Sequence, residues 1–355
     1  IHWSGLPNNI NPTITYHPNN IKIGNIKADG ADESIVALSA CYNVSIENIT
    51  GNNNYIGLLI IAGDFGDYYA NSAQKGLVGQ GIVINNLSGT DFRYAAIIIT
   101  GKAALIEYVI DMPVVINGGK CLGKTGSYNG VEITKSSGGK ISNFTVSNFG
   151  NHGVLLGDGC EGWEFDNVTA TNNQQNGFRI SVASGSISDI VLRKCVCKNN
   201  NKSLTGGVSE IYIGNNAKRI IILEPRVQTD NTATHGITVE GSATDCIVEG
   251  GYATGFSGFR FAYRSYTPPD NNNLFKDNGG DNAANLYSDN GNPILIQKLG
   301  YGKRRFSFSG IPTSGTYYQG DEVIYTNPVA GGKRGAVCVV AGTPGTWKQF
   351  GAIDA

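Results

Sequence analysis

A short motif recurs through the middle of the chain and constrains the fold more than any other feature. Each copy has a polar residue, then a glycine, then three residues in which apolar and polar side chains mostly alternate. Successive glycines are 23, 24, 59 and 22 residues apart, and the interval of 59 holds one more copy without the glycine. The copies are Asn129-Gly-Val-Glu-Ile, His152-Gly-Val-Leu-Leu, Asn176-Gly-Phe-Arg-Ile, Ser209-Glu-Ile-Tyr-Ile, His235-Gly-Ile-Thr-Val and Ser257-Gly-Phe-Arg-Phe.

A second short strand recurs in step with the first. Its copies are Val44-Ser-Ile-Glu-Asn, Ile141-Ser-Asn-Phe-Thr, Phe165-Asp-Asn-Val-Thr, Leu192-Arg-Lys-Cys-Val, Leu223-Glu-Pro-Arg-Val and Val248-Glu-Gly-Gly-Tyr. A period of two residues places one face of a strand inward and the other outward. One such unit cannot bury its apolar face, but units stacked as coils about 4.8 Å apart form a continuous core.

The sequence therefore predicts an all-β fold, a right-handed parallel β-helix followed by a small C-terminal antiparallel β module. The handedness follows from the general preference for right-handed crossovers. A β-propeller would need repeats nearer 40 residues, and a leucine-rich repeat would need a regular Leu and Asn framework. The 49 glycines and the many Asn-rich runs also favour short strands and tight turns, because both residues tolerate positive φ.

Three regions are expected along the chain. Residues 1–43 form N-terminal coils or a cap with a poorly regular repeat, and residues 44–292 form the parallel β-helix that carries the functional site. Residues 293–355 form the C-terminal β module, which we assign to trimer clamping or capping, since a bare helix end is an exposed sheet edge.

Charge and composition exclude several classes of function. Lys and Arg total 27 against 28 Asp and Glu, so no large basic field attracts nucleic acid or an anionic membrane. No apolar run reaches the roughly 18 residues that a membrane span requires. The seven cysteines lack metal or redox spacing, and His152 and His235 lack a third ligand, so we expect neither a metal nor another cofactor.

The stretch from Gly315 to Ala352, which includes Gly-Thr-Tyr-Tyr-Gln-Gly-Asp-Glu-Val-Ile-Tyr, resembles the C-terminal segment of bacteriophage tailspikes that depolymerise bacterial capsules. It covers about a tenth of the chain. The resemblance implies a homotrimer at the tip of the phage tail, made in the host cytoplasm and acting outside the cell. It also implies that the partner is a bacterial capsular or exopolysaccharide and that a virion-attachment region before Ile1 is missing. It supplies no catalytic motif.

The candidate site therefore rests on the stacking of the coils. Taking the residue two places after each motif glycine gives an outward column on the first strand: Glu132, Leu155, Arg179, Tyr212, Thr238 and Arg260. Arg grips carboxylates with two hydrogen bonds and aromatic rings cover sugar faces, so this column suits an acidic glycan. We expect Glu132, Arg179, Tyr212 and Arg260 to bind substrate. The alternative is a solvated face with incidental charges.

Three carboxylates flank this column, and hydrolysis of a glycoside needs two of them. The hypothesis places Glu210 and Glu240 in the roles of acid and of base or nucleophile, with Asp158 in reserve. A polysaccharide lyase on the same scaffold would instead use a base such as Tyr212 or His152, assisted by Arg179. A third possibility is an adhesin that binds glycan without cutting it.

The second strand offers another outward column, Asp166, Arg193, Glu224 and Glu249, as a second choice for catalytic residues. By coil spacing, Glu224 and Glu249 would lie about 5 Å apart and Asp166 and Glu224 about 10 Å apart. These separations bracket the carboxylate pairs of glycosidases. Alternating acid and Arg would equally form an ion-paired ladder at a trimer interface.

Overall fold

The structure is a computed structural model. It describes residues 2–4, 19–31, 34–39, 42–55, 57–62, 80–100, 110–124, 126–202, 208–230, 234–257, 261–268, 271–281, 286–288 and 293–354. In these ranges the regular structure is β, apart from one short 3₁₀ turn at Gly300–Gly302. None of the described residues form a helix long and apolar enough to cross a membrane.

The strands are numbered here in chain order. They are β1 (His2–Ser4), β2 (Asn19–Lys27), β3 (Ser34–Ser39), β4 (Tyr42–Asn52), β5 (Gly57–Ala62), β6 (Gln80–Phe92), β7 (Ile97–Thr100), β8 (Ile110–Gly123), β9 (Val131–Thr134), β10 (Ser136–Ser147), β11 (Val154–Leu156), β12 (Glu161–Asp166), β13 (Thr169–Thr171), β14 (Phe178–Ile180), β15 (Ile187–Ser188), β16 (Val191–Arg193), β17 (Val196–Lys198), β18 (Ser209–Ile213), β19 (Ala217–Lys218), β20 (Ile221–Leu223), β21 (Arg226–Gln228), β22 (His235–Val239), β23 (Ile247–Glu249), β24 (Tyr252–Thr254), β25 (Tyr263–Ser265), β26 (Leu274–Lys276), β27 (Gly279–Gly280), β28 (Tyr287–Ser288), β29 (Ile294–Lys298), β30 (Arg304–Phe308), β31 (Glu322–Tyr325), β32 (Lys333–Val340) and β33 (Thr346–Ala352).

The coils stack through two parallel sheets. Sheet A contains one strand from each coil, in the order β1-β3-β5-β7-β9-β11-β14-β18-β22-β25-β28. Sheet B contains the second strand of each coil, long and continuous in β4, β6, β8 and β10 and divided in later coils, as in β12 with β13. Every pairing within sheet A is parallel between successive coils. The prediction of an all-β parallel β-helix is confirmed.

Single residues with positive φ make the corners of the coils. One corner runs through Asn86, Gly118, Asn143, Asn167, Lys194, Glu224, Gly250 and Asp277. Its asparagines also bond to one another, since Nδ2 of Asn167 donates to Oδ1 of Asn143 at 3.0 Å. Asn tolerates the left-handed region better than most residues, so these corners explain why the sequence is rich in Asn.

The core is a column of aliphatic and aromatic side chains between the sheets. Ile133, Leu156, Ile180 and Ile213 stack in adjacent coils of sheet A and are fully buried. Six cysteines, from Cys121 to Cys338, are free and buried, and burial raises the pKa of the Cys160 thiol to about 12. These six therefore act as small apolar core residues. Cys41 lies outside the described residues.

Described strands on both sides of residue 44 stack in parallel. β2 pairs with β4 in parallel, with Ile21 beside Val44 and Ile23 beside Ile46. β3 and β5 pair in the same way. The coils before Val44 therefore follow the same register as those after it.

The C-terminal module continues sheet B. β29 pairs with β26 of the last coils in parallel and with β30 in antiparallel orientation. β31, β32 and β33 extend the sheet through two antiparallel pairings, whereas β30 and β31 are parallel. The module has its own small core around Phe306 and Tyr317, and a buried Asp321 accepts hydrogen bonds from the Arg304 guanidinium at 2.7 and 3.1 Å.

Candidate functional site

The strand register of sheet A aligns the first five residues of the expected column, although Thr238 among them is buried. The register aligns Glu132, Leu155, Arg179, Tyr212 and Thr238 in successive strands. The next member of the column is Arg264, which pairs with Thr238. Arg260, which the sequence predicted in this column, lies outside the described residues.

Arg179, Tyr212 and Glu240 form a connected group on this face. The guanidinium carbon of Arg179 lies 5.0 Å from the centre of the Tyr212 ring, within the range of a cation–π contact. The Tyr212 hydroxyl donates a hydrogen bond to Oε1 of Glu240. All three side chains are partly exposed, so a molecule lying along the face contacts a cation, an aromatic ring and a carboxylate together.

Burial raises the pKa of Tyr212 above its usual value, and the hydrogen bond to Glu240 and the charge of Glu240 raise it further. The positive charge of Arg179 opposes this shift but is the smallest of the four causes. Tyr212 is therefore a protonated phenol, a hydrogen-bond donor, throughout the physiological pH range.

A glycine after the strand leaves space for Tyr212. A Cβ atom at Gly214 would lie 2.5 Å from Oγ of Ser181 and 2.6 Å from the Tyr212 ring. The equivalent position in the coil before Ser181 is Gly157, because the backbone N–H groups of Gly157, Ser181 and Gly214 each donate to the preceding coil in the same way. The surface beside Arg179 and Tyr212 is therefore lined by small side chains.

A second cation and ring lie further along the same face. The guanidinium carbon of Arg264 lies 3.7 Å from the centre of the Tyr266 ring, and Nη1 of Arg264 donates to Nε2 of His235 at 2.7 Å. Tyr266 takes the place of Glu240 in the next coil. The backbone N–H of Tyr266 donates to the carbonyl oxygen of Val239, just as the N–H of Glu240 donates to the carbonyl oxygen of Ile213. Two Arg–Tyr pairs therefore flank Glu240.

Glu210 does not lie on this face. It occupies the place that Gly177 takes in the coil before and Gly236 in the coil after, and its side chain is fully buried. The backbone N–H of Asn200 donates to one carboxylate oxygen at 3.1 Å and Nδ2 of Asn200 to the other at 2.5 Å. This position does not fit the role of a catalytic acid on an extended polymer, and we correct the assignment.

Glu210 instead ends an internal ladder of amides. Nδ2 of Asn173 donates to Oδ1 of Asn200 at 2.8 Å, and Nδ2 of Asn200 donates in turn to Oε2 of Glu210. Burial raises the pKa of Glu210 to about 8, although the two hydrogen bonds from Asn200 oppose the shift. Glu210 is thus a structural acid in the core.

Of the other predicted residues near the column, two acids are partly exposed and the histidine is buried. Glu132 is partly exposed and accepts a hydrogen bond from Nδ2 of Asn129 at 2.9 Å. Asp158 is partly exposed beside the loop at Gly185. His152 is 4 % exposed, and its Nδ1 accepts from the N–H of Asn176 at 3.3 Å. Burial lowers the pKa of His152 to about 3, with a further effect of the Arg179 charge.

The second-choice column on sheet B has a different composition from the one predicted. Asp166 pairs with Arg193, but Arg193 pairs with Leu223, and Leu223 with Glu249. Glu224 is the corner residue after Leu223, with φ of 51°, so the predicted spacing between Glu224 and Glu249 was wrong by one residue.

Ion pairs connect the charged residues of sheet B. Nζ of Lys140 lies 3.2 Å from Glu164 and 3.6 Å from Asp166, and Nε of Arg193 lies 3.4 Å from Glu164. Further along, Nζ of Lys276 lies 2.5 Å from Glu249. Within one chain, these cations and carboxylates of sheet B therefore neutralise one another.

The sequence reasoning missed Arg264 and Tyr266. The available signal was the spacing, because Tyr212, Thr238 and Arg264 are separated by 26 residues each, whereas the glycine at 258 gave only 22. The loss of the motif glycine at Glu210 was a second signal, since a side chain at that position points into the coil. Among the described residues, no group of three His, Cys, Asp or Glu side chains is arranged to hold a metal ion.

Comparison with known proteins shows the fold. No family model matches the sequence, and no curated protein matches it. The N-terminal fragment of bacteriophage phi29 gene product 12 is 15 % identical over 92 % of this chain, with a TM-score of 0.56, and the chain covers 60 % of that fragment.

Two further solved structures match the chain at lower similarity. The endo-xylogalacturonan hydrolase of Aspergillus tubingensis is 11 % identical over 79 % of this chain and 89 % of its own, with a TM-score of 0.47. The enzymatically active domain of bacteriophage CBA120 tailspike protein 2 is 13 % identical over 85 % of this chain and 46 % of its own, with a TM-score of 0.48. The strand register and the likeness to the phi29 fragment together identify the chain as a parallel β-helix protein.

Proposed function

We propose that the chain is part of a bacteriophage tailspike that binds a bacterial surface polysaccharide, capsular or exopolysaccharide, along the outer face of sheet A and hydrolyses it. The observation that carries the proposal is the group of Arg179, Tyr212 and Glu240, with its cation–π contact and its hydrogen bond. The phage origin of the phi29 fragment and the resemblance of the C-terminal segment to tailspikes support the virion location.

The shape of the face supports a polymer as ligand. The candidate residues lie in columns along the helix axis on an outer sheet surface, rather than around a closed cavity. Guanidinium groups bind carboxylates with two hydrogen bonds, and aromatic rings pack on sugar faces. An acidic polysaccharide would use both kinds of group in adjacent coils.

For the hydrolytic step we propose Glu240 as the base or nucleophile, held in place by the Tyr212 hydroxyl. Asp158 is the remaining flanking carboxylate on this face and is proposed as its partner. Gly157 and Glu240 are three coils apart, about 14 Å along the axis, which exceeds the separation of glycosidase pairs. An Asp side chain alone is too short to close this gap, so the pairing requires the Asp158 and Glu240 side chains both to extend toward the scissile bond, and Glu240 is the stronger of the two assignments.

The protonated state of Tyr212 supports hydrolysis over elimination. A lyase would need a base beside a uronic acid carboxylate, and a phenol with a raised pKa is a poor base at neutral pH. His152 is almost entirely buried and therefore poorly placed for the same task.

The decisive experiment is incubation of the protein with purified capsular polysaccharides from a strain panel, followed by gel filtration and mass spectrometry. Products that gain one water per cut support the hydrolase. Products with a double bond, which absorb in the ultraviolet, would replace it with a lyase. Binding without shortening would leave a glycan-binding adhesin. Light scattering on the same samples tests the proposed homotrimer.

A further inference from the structure

The two Arg–Tyr pairs of sheet A lie at a fixed separation along the helix axis. Arg179 and Arg264 belong to one column, with Tyr212 and Thr238 between them. Three coil steps therefore separate the guanidinium-bearing strands, about 14 Å along the axis. Each guanidinium lies against a tyrosine ring, which holds the side chain near one orientation.

The positions between the two cations carry no positive charge. Tyr212 and Thr238 are uncharged, and Thr238 is 1 % exposed, with its hydroxyl 2.6 Å from that of Ser209. Glu240 lies beside them in the neighbouring column and adds a carboxylate. On the other side of Arg179, two coils away, the column carries Glu132. Along the axis the face therefore presents acid, apolar residue, cation, phenol, acid and cation.

We infer that this face selects a polysaccharide in which carboxylate-bearing sugars are separated by uncharged ones, and that it discriminates against polymers with a carboxylate on every sugar. The inference rests on the proposed polysaccharide-binding function. One sugar of an extended chain is similar in length to one coil step, so a chain along the axis presents about one sugar per coil. Carboxylates three sugars apart would each meet a guanidinium, whereas a polyuronate would also place carboxylates beside Glu132 and Glu240, where like charges repel.

The test compares two probes and two kinds of variant. The probes are an oligosaccharide of the capsular polysaccharide that the protein binds and a polygalacturonate oligosaccharide of equal length, both titrated calorimetrically at low salt. For the wild-type protein we expect polygalacturonate to bind at least about tenfold more weakly. Glu240→Gln should strengthen polygalacturonate binding about tenfold and should not strengthen binding of the capsule oligosaccharide.

Arginine variants test the two cation positions. Arg179→Gln and Arg264→Gln should each weaken binding of the capsule oligosaccharide several-fold, and the effect of Arg264→Gln should disappear with fragments too short to reach both cations. Arg226→Gln, at an exposed residue of sheet B, is the matched control and should leave binding unchanged. If Glu240→Gln does not fold, Glu132→Gln serves as the second test with the same expected direction for polygalacturonate.

Each outcome separates the inference from the function on which it rests. Equal binding of both probes by the wild-type protein, or no gain for polygalacturonate on removing an acid, would overturn the charge-spacing inference and leave the proposed function standing. Binding of no polysaccharide would overturn the proposed function itself.

Discussion

The outer faces of sheets A and B belong to the same coils, yet they arrange their charges differently. On sheet B the cations lie against carboxylates of neighbouring coils, as in Lys140 with Glu164 and Lys276 with Glu249. On sheet A the guanidinium groups of Arg179 and Arg264 lie against tyrosine rings. No carboxylate among the described residues lies within ion-pair distance of Arg179.

This difference separates charges that serve the fold from charges that can serve a ligand. A surface ion pair contributes about 0 to 1 kcal/mol and neutralises both partners, so sheet B presents little net attraction to an anionic polymer. A guanidinium that lies against an aromatic ring is not neutralised by a carboxylate and keeps its positive charge. The two faces therefore differ in what their cations contact, which is a carboxylate on sheet B and a tyrosine ring on sheet A.

The largest expected effect is on the rate of polysaccharide hydrolysis, which should respond to replacing an acid of the sheet A face but not one of sheet B. Glu240→Gln should lower the rate of polysaccharide hydrolysis by about 10² to 10⁴, because it removes a group proposed to act in proton transfer or nucleophilic attack. Glu164→Gln on sheet B should leave the rate unchanged. Reducing-end assays on folded protein measure both, and equal rates for Glu240→Gln and wild type would remove the catalytic assignment.

A second experiment compares these surface acids with the buried Glu210. The pKa of Glu210 is raised to about 8 in the folded state. Between the usual carboxyl pKa and about 8, the folded protein therefore keeps a proton that the unfolded chain has lost. Stability therefore falls as pH rises from about 4.5 to 8, by up to about 5 kcal/mol from this group. The difference in melting temperature between Glu210→Gln and wild type should increase over this window in favour of the variant.

The matched control for that experiment is Glu224→Gln, an exposed corner acid, which should track wild type at every pH. A constant difference between Glu210→Gln and wild type from pH 4 to 9 would show that the buried carboxyl does not titrate in this range.

A smaller effect on polysaccharide binding is expected from removing the tyrosine ring that Arg179 of sheet A lies against. Tyr212→Leu removes the ring under Arg179 and the hydroxyl that bonds Glu240. Binding of an acidic polysaccharide should weaken by about 10-fold, equivalent to about 1 to 1.5 kcal/mol. Titration calorimetry measures the loss, and Tyr252→Leu, an exposed tyrosine of sheet B, should bind as wild type does.

The smallest effect is expected for the ladder of sheet B. Lys140→Gln breaks its contacts with Glu164 and Asp166, whose side chains are 35 and 39 % exposed. Stability should fall by less than about 1 kcal/mol, and added salt should abolish the difference. Denaturant unfolding at two salt concentrations measures this, and a loss of polysaccharide binding would contradict the division between the two faces.

The fold was predictable because the repeat is visible in the residues themselves. Alternation in strands such as Val131–Thr134 shows which side chains face inward, and spacings near 23 residues give the stacking. The column from Glu132 to Thr238 followed directly. Prediction failed where a glycine-led motif gave a spacing of 22 residues in place of the 26 that separate Thr238 from Arg264, and where a corner residue resembled a strand residue, as at Glu224.

The site was less predictable because burial does not follow period-two alternation along the whole of each strand. Glu210 and Tyr212 are two residues apart in β18 and were both expected on the outside, but only Tyr212 is partly exposed. The Glu210 carboxylate is fully buried and accepts hydrogen bonds from the backbone and side chain of Asn200. Glu210 takes the place of Gly177 and Gly236 in the neighbouring coils, where no side chain in the repeat indicates the direction.

The one-residue corners have a consequence for how such a surface can change. Coils from Glu132 to Arg264 differ in length by as many as ten residues, from 23 to 33, yet their strands remain in register. Length variation is taken up between the corners and does not propagate to the next coil. Each outward residue can therefore be exchanged without shifting the others, so that the surface of one coil can diverge while those of its neighbours persist.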